Sequence, residues 1–247
     1  MTIEIFVGGV LQNENDPALI VKRSYQMQRT LGKDADGVQS QYIVGAVANQ
    51  LDLNITLADK ITADLAFIAQ TEEFRTGSEG LKPGTISPAL DEDAINTSND
   101  VYEMAMTVVS ASNSNPTKLF GYLSDAKLTL NNNVSSIKGI GVLGGIGVNV
   151  GIFEVSGTAT AYFQSVAANV ALNNNDDVDC HFIIAKHNAG FVYDMALLSL
   201  GGGNIAIDAN KPITVPLTTN AAQNKNGSTL SYTTFGYLPN KAMPEAA

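Results

Sequence analysis

Apolar and polar residues alternate along much of this chain with a period of two. In Gln50–Thr56, Leu51, Leu53 and Ile55 share one face while Asp52, Asn54 and Thr56 share the other, the pattern of a half-buried β-strand. A polar turn at Ala58-Asp59-Lys60 leads into a second run, with Ile61, Ala63, Leu65 and Phe67 on one face and Thr62, Asp64 and Ala66 on the other. Together they predict a long antiparallel hairpin with one wet face. The pattern returns at Ala126–Leu130, which passes through an Asn-rich and Gly-rich connection into Ile152–Phe163. There Phe153, Val155, Ala159, Ala161 and Phe163 form the apolar set, and Glu154, Ser156, Thr158 and Thr160 form a second polar face. The two hairpins read as halves of a pseudo-repeat.

Further strands are expected at Ser24–Leu31, Tyr42–Val47, Val101–Val109, Val178–Ala185, Phe191–Leu198, Ile213–Thr218 and Thr229–Tyr237. One helix is expected at Ser165–Leu172, with Ser165 placed to cap its start and the run Asn173-Asn174-Asn175-Asp176-Asp177 to stop it. Phe74–Asn99, rich in Gly, Pro, Ser and Asp, reads as a long loop inside one domain spanning 1–247, because strand patterns continue on both sides. The expected fold class is therefore all-β with one short flanking helix, an antiparallel sandwich or barrel.

Charge sharpens this picture. The chain has 24 Asp and Glu against 14 Lys and Arg, a formal net charge of -10, with the acid spread along its length. Such a surface repels nucleic acid, whose binding depends on neutralising phosphates, so sequence-specific DNA binding is not expected. The single cysteine, Cys180, excludes an internal disulfide, and MTIEIFVGGV lacks the form of a secretory leader, so synthesis and folding in a cytoplasm are expected. No apolar run approaches the roughly 20 residues of a membrane-spanning helix.

Candidate chemistry is thin. Gly139-Ile140-Gly141-Val142-Leu143-Gly144 has the letters of a dinucleotide-binding loop, but more glycine and then a strand follow where a helix is needed. The expected role is a flexible or tightly packed connection. Cys180, His181 and His187 fit no zinc spacing, since Cys180 and His181 point to opposite faces of a strand. Asp91-Glu92-Asp93 and Asp176-Asp177-Val178-Asp179 lack the spacing and glycine of a calcium loop. Two histidines and no Gly-x-Ser-x-Gly elbow argue against hydrolytic chemistry. No enzyme activity, cofactor or metal is expected.

Three segments resemble the tail tube (major tail) proteins of long-tailed bacteriophages, in an order that covers roughly residues 20–238. They are Ser24–Arg29 leading to Gln41–Leu51, the loop exit Ile95–Val101, and Leu128–Asn133 followed by Gly151–Phe163. The resemblance implies a β-sandwich or barrel-like subunit assembled in hexameric rings. Each subunit would lend four strands to a continuous inner β-barrel, and the rings would stack into a tube through which genome DNA passes into the host. It implies a structural protein of the virion tail, assembled in the bacterial cytoplasm beside tape measure, terminator and baseplate proteins.

On this reading Asp52, Asn54, Thr56, Thr62, Asp64, Glu154, Ser156, Thr158 and Thr160 face the lumen. Basic walls would grip phosphates spaced about 1.7 Å apart along the duplex axis, whereas acidic and hydroxyl walls do not stick. The loop 74–99 is the leading candidate to touch the next ring, through Phe74, Arg75, Glu79, Leu81, Lys82, Ile86 and Leu90, with the N-terminal and C-terminal segments as alternatives. A carbohydrate-binding or adhesin sandwich is the alternative, weakened by the absence of Trp for stacking sugars; a small β-rich hydrolase is a weaker one.

Overall fold

The computed structural model describes residues 10–236 apart from 15, 17, 86–87, 89–92, 110–117, 188, 206 and 208. In chain order the strands are β1 (Val10–Gln12), β2 (Tyr25–Asp34), β3 (Gly37–Thr56), β4 (Thr62–Ile68), β5 (Thr71–Arg75), β6 (Val101–Val108), β7 (Leu123–Asn131), β8 (Ser135–Lys138), β9 (Gly145–Asn149), β10 (Glu154–Tyr162), β11 (Val178–Lys186), β12 (Ala189–Gly202), β13 (Thr214–Ala221) and β14 (Ser231–Phe235). One helix, α1 (Ala167–Asn174), joins β10 to β11. All strand pairs are antiparallel.

Two layers enclose the core. The first has the order β4-β3-β7-β10-β13, and the chain turns through the β13–β12 pairing into the second, β12 with β11 and β6 on one flank and β14 and β1 on the other. Alternation explains the packing. Along β11, Val178, Cys180, Phe182 and Ile184 are buried while Asp179 and His181 lie on the opposite face. They meet Leu53, Ile55, Leu128, Val155, Ala159, Val215 and Leu217 from the first layer, with Ala168 and Ala171 of α1 alongside.

The 20-residue strand β3 is the longest element. Its second half pairs with β4 on one side and β7 on the other. Its first half carries β5 and β2 on those same two sides, so β4 and β5 run along one edge with a break at residues 69–70. Here β2, β5 and the first half of β3 form a three-stranded arm outside the sandwich, and nine of the ten β2 residues are exposed. The arm is closed at its far end by Gly77–Glu79, a single 3-10 turn, where the Ser40 hydroxyl donates to the Gly80 carbonyl. The Lys82 N–H donates to the Tyr42 hydroxyl at 2.7 Å, and its ammonium pairs with Glu73 at 2.6 Å.

The all-β class with one short helix holds. Several local expectations change. Tyr42–Val47 and Gln50–Thr56 are one strand, not two, because a bulge between Ala48 and Gln50 shifts the phase of the alternation. Phe74 and Arg75 belong to strand β5 and not to a loop. The helix starts two residues later than expected: Val166 occupies its N-cap, and Ser165 accepts only from the Ala167 N–H, at 3.3 Å. Asn175 ends it in the left-handed region at φ 54°. Gly139–Gly144 is the tip of the small β8–β9 hairpin, with Gly141 and Gly144 at positive φ.

Leu217, 1% exposed at the centre of the two-layer core, tests this packing. Leu217→Ala should cost about 2–5 kcal/mol in urea unfolding, as expected for a cavity that a β-sandwich cannot collapse around.

Candidate functional site

The first layer presents one continuous polar face. Register fixes it: Asp52 lies opposite Asp64 on one side and Thr129 on the other, and Asn54 opposite Thr62 and Lys127. Thr129, Lys127, Asp125 and Asn131 of β7 lie opposite Ser156, Thr158, Thr160 and Glu154 of β10. Cross-strand partners share a face, so all nine polar residues singled out from the sequence lie together on one side of one sheet. Sequence reasoning missed that Asp125, Lys127, Thr129 and Asn131 complete the face, although they alternate with Ala126, Leu128 and Leu130 in the same way. It also missed the extension onto Thr218 and Asn220 of β13, opposite Thr158 and Ser156.

Asp52 is the centre of this face. Its carboxylate accepts from the Thr129 hydroxyl at 2.6 Å and the Gln50 amide at 2.9 Å, and pairs with the Lys127 ammonium at 3.0 Å. The Thr129 bond first, with those from Lys127 and Gln50, outweighs partial burial and holds this carboxyl below its usual range. Asn54 donates to Asp64 at 2.9 Å, and Thr160 and Ser124 donate to Asp125 at 3.2 and 3.0 Å. The face thus sets four carboxylates (Asp52, Asp64, Asp125, Glu154) against a single ammonium, and that ammonium is already paired with Asp52. It offers phosphate no free cation among these residues.

The edge of the layer departs from expectation. Leu65 was expected on the covered apolar face, but it is 61% exposed. β4 is the outermost strand, its outer edge pairs with no strand among the described residues, and on its apolar side Ala63 and Leu65 are exposed while Phe67 packs edge-on against Tyr25.

The proposed contact residues lie near the arm. Phe74, Glu79 and Leu81 are exposed, while Arg75 and Lys82 are both held by Glu73. Ile86 and Leu90, like Asp91 and Glu92, fall outside the described residues. The described ends of 74–99 lie apart: Arg75 is opposite Ser40 on the arm, whereas at the other end of the subunit Asn96 bridges to Lys60 and the Thr97 hydroxyl donates to the Thr56 carbonyl at 2.7 Å. On the second layer, Cys180 faces the core, where burial pushes its thiol up. His181 lies on the outer face, 3.8 Å from Asp179 and 3.9 Å from Glu103.

The first layer thus presents one polar sheet face beside an edge that pairs with no strand among the described residues. The model of the phage tail tube protein family matches residues 3–221. The chain belongs to the phage tail tube protein family. As a tail tube protein it is a structural component of the virion tail. No curated protein sequence matches it. Among solved structures this tail tube protein is similar to a chain in the tail of an empty GTA particle obtained by helical refinement with C6 symmetry; the match has 12% identity and a TM-score of 0.38, and covers 49% of this chain and 92% of that one.

The Asp52 cluster yields a pH-dependent expectation. A carboxyl depressed in the folded state contributes stability above its unfolded pKa of about 3.9 and loses it as pH falls through the folded value. Asp52→Asn should therefore destabilise the subunit by about 1–3 kcal/mol at pH 7, with the gap to wild type closing below about pH 4. Urea titrations of both proteins at pH 7 and pH 3 measure it.

Proposed function

We propose that this tail tube protein forms hexameric rings that stack into a tube, with the polar face of the first layer as the wall of the DNA channel. The observation that carries the reading is the segregation on β4, β3, β7 and β10: carboxylates, amides and hydroxyls on one side, apolar residues on the other. Six copies of those four strands, roughly 24 at about 4.8 Å spacing and about 40° tilt, would enclose a backbone circle roughly 48 Å across. That leaves a bore wide enough for a duplex and its water. Excess carboxylate and the pairing of Lys127 to Asp52 keep the wall from gripping phosphate, so the genome slides toward the host without specific binding.

Ring closure follows from the open edge at β4–β5. Pairing it with the neighbouring subunit satisfies its free backbone groups and covers Leu65 and Ala63, which otherwise form an aggregation-prone border. The domain 1–247 acts as one unit. The exposed arm and the adjoining residues Phe74, Glu79 and Leu81 reach the next ring. Tape measure, terminator and baseplate proteins are the other partners, with assembly in the host cytoplasm before the tail joins the virion.

The buried native cysteine permits a direct test. Thr158→Cys should react with a small maleimide in free subunits and in tubes alike. A maleimide on a long polyethylene glycol chain should react with free subunits and be excluded from tubes. Equal reaction of both reagents with tubes would put this face outside and end the channel reading. Separately, Leu65→Glu replaces an exposed side chain, so subunit stability should stay within about 0.5 kcal/mol of wild type. Size-exclusion chromatography and negative-stain microscopy should show monomers in place of rings and tubes.

A further inference from the structure

The β3–β7 pair carries complementary apolar features at its two ends. At one end, beyond Asn131, the β8–β9 hairpin presents Ile140 and Leu143 fully exposed, with Val142 and Ile146 more than half exposed. This tip is seated. The Val134 N–H donates to the Asn49 side chain at 2.7 Å, and the Gly145 N–H donates to the Gln70 carbonyl at 2.7 Å. A Cβ on Gly144 or on Gly145 would come within 3.2 Å of that carbonyl, so glycine lets the hairpin lie close. Gln70 itself donates to the Val44 carbonyl, so from Asn49 to that level the hairpin runs toward the arm.

At the other end, beyond Thr56, a cavity of about 540 Å³ opens between β3, β7 and β6. Its apolar lining includes Ile55, Leu57, Val101, Met104, Tyr122 and Leu123, of which Leu57 is 61% and Tyr122 72% exposed. Charge follows the same division. Residues 133–151 contain one charged residue, Lys138, and no acid, in a chain of net charge -10. The cavity carries Glu103 and Asp125 against Lys118, and Asp125 is met only by hydroxyls among the described residues. Lys138 has no ion-pair partner among the described residues either.

We propose that the glycine-rich tip of one subunit docks in the Leu57–Tyr122 cavity of a second copy in the adjacent ring. The inference rests on the tube reading and adds the contact that joins rings. From Leu57 to the level of Val44 is about 40 Å along the strand, too far for a subunit to fill its own cavity. A knob and a socket at opposite ends make a heterologous contact, which propagates as an open filament when it does not close. Ile140 and Leu143 supply the apolar contact, and Lys138 approaches the Asp125 rim.

Two variants and a crosslink decide it. Ile140→Asp/Leu143→Asp alters only exposed positions and should leave thermal unfolding unchanged; electron microscopy should show single rings with loss of tubes. Leu57→Cys/Leu143→Cys, oxidised in assembled tubes, should give a ladder of covalent multimers beyond dimer on non-reducing gels, because the native Cys180 is buried. Normal tubes from the Asp variant, or no ladder from tubes carrying both cysteines, would overturn the docking while leaving the tube reading intact. Monomers in place of rings from the Asp variant would overturn it too, by assigning the hairpin to ring closure. Wild-type protein that forms neither rings nor tubes would bring down both readings. Normal tubes that fail only when another tail protein is added would assign the tip to that protein instead.

Discussion

The register of β7 against β3 is the constraint on which the rest depends. Side chains on a strand alternate sides, so slipping this pairing by one residue would turn Leu128 and Leu130 to water and Lys127 and Thr129 into the core. Several bonds oppose the slip. The Asn132 backbone N–H and side-chain amide reach the Asn49 and Ala48 carbonyls at 2.8 and 3.0 Å, and Asp52 takes both Thr129 and Lys127. Lys127 and Asp52 come from strands far apart in sequence, and each is the wrong residue for a core. Their pairing holds β7 in the one register that keeps both charges in water. With β7 fixed, β10 and β13 add to it in turn, and the face continues without a change of side.

That face was legible because it is wet on one side only. Leu51, Leu53 and Ile55 against Asp52, Asn54 and Thr56, and Val155, Ala159 and Ala161 against Glu154, Ser156, Thr158 and Thr160, have the contrast that burial imposes on a strand. The arm was harder to read for the same physical reason. β5 is Thr71-Glu72-Glu73-Phe74-Arg75, and it lies mostly in solvent on both sides, so no selection for alternation acts on it within the subunit. The β8–β9 hairpin hides in glycine, whose lack of a side chain removes the pattern along with the bulk. The bulge at Ala48–Gln50 concealed the continuity of β3, because an extra residue changes the phase while the strand continues.

Leu65 shows how a sequence pattern can be right about the strand and misleading about the subunit. Its position on the apolar side follows from pairing with Leu51, yet in the subunit it is exposed. Alternation reports which side a residue takes; it does not report whether the cover for that side comes from the same chain. In a tail tube protein the distinction matters, since an edge strand with a complete alternation pattern and exposed apolar residues is suited to cover from a neighbour.

The acidity of the chain bears on how such neighbours meet. A net charge of -10 on every copy opposes association, and closing a ring multiplies the opposition. Screening at physiological salt confines each charge to about 8 Å, so contacts shorter than that must supply the attraction. The uncovered apolar side chains are placed for this: Leu65 on the lateral edge, Leu57 and Tyr122 at one end, Ile140 and Leu143 at the other. Asp64 beside Leu65 is engaged by the Asn54 amide, Asp125 at the cavity by hydroxyls, and residues 133–151 carry no acid. Repulsion between the remaining acidic surfaces then acts at longer range, disfavouring pairings that do not bring these patches together. The same excess of acid that would weaken phosphate binding on the polar face therefore also narrows the ways in which subunits can join.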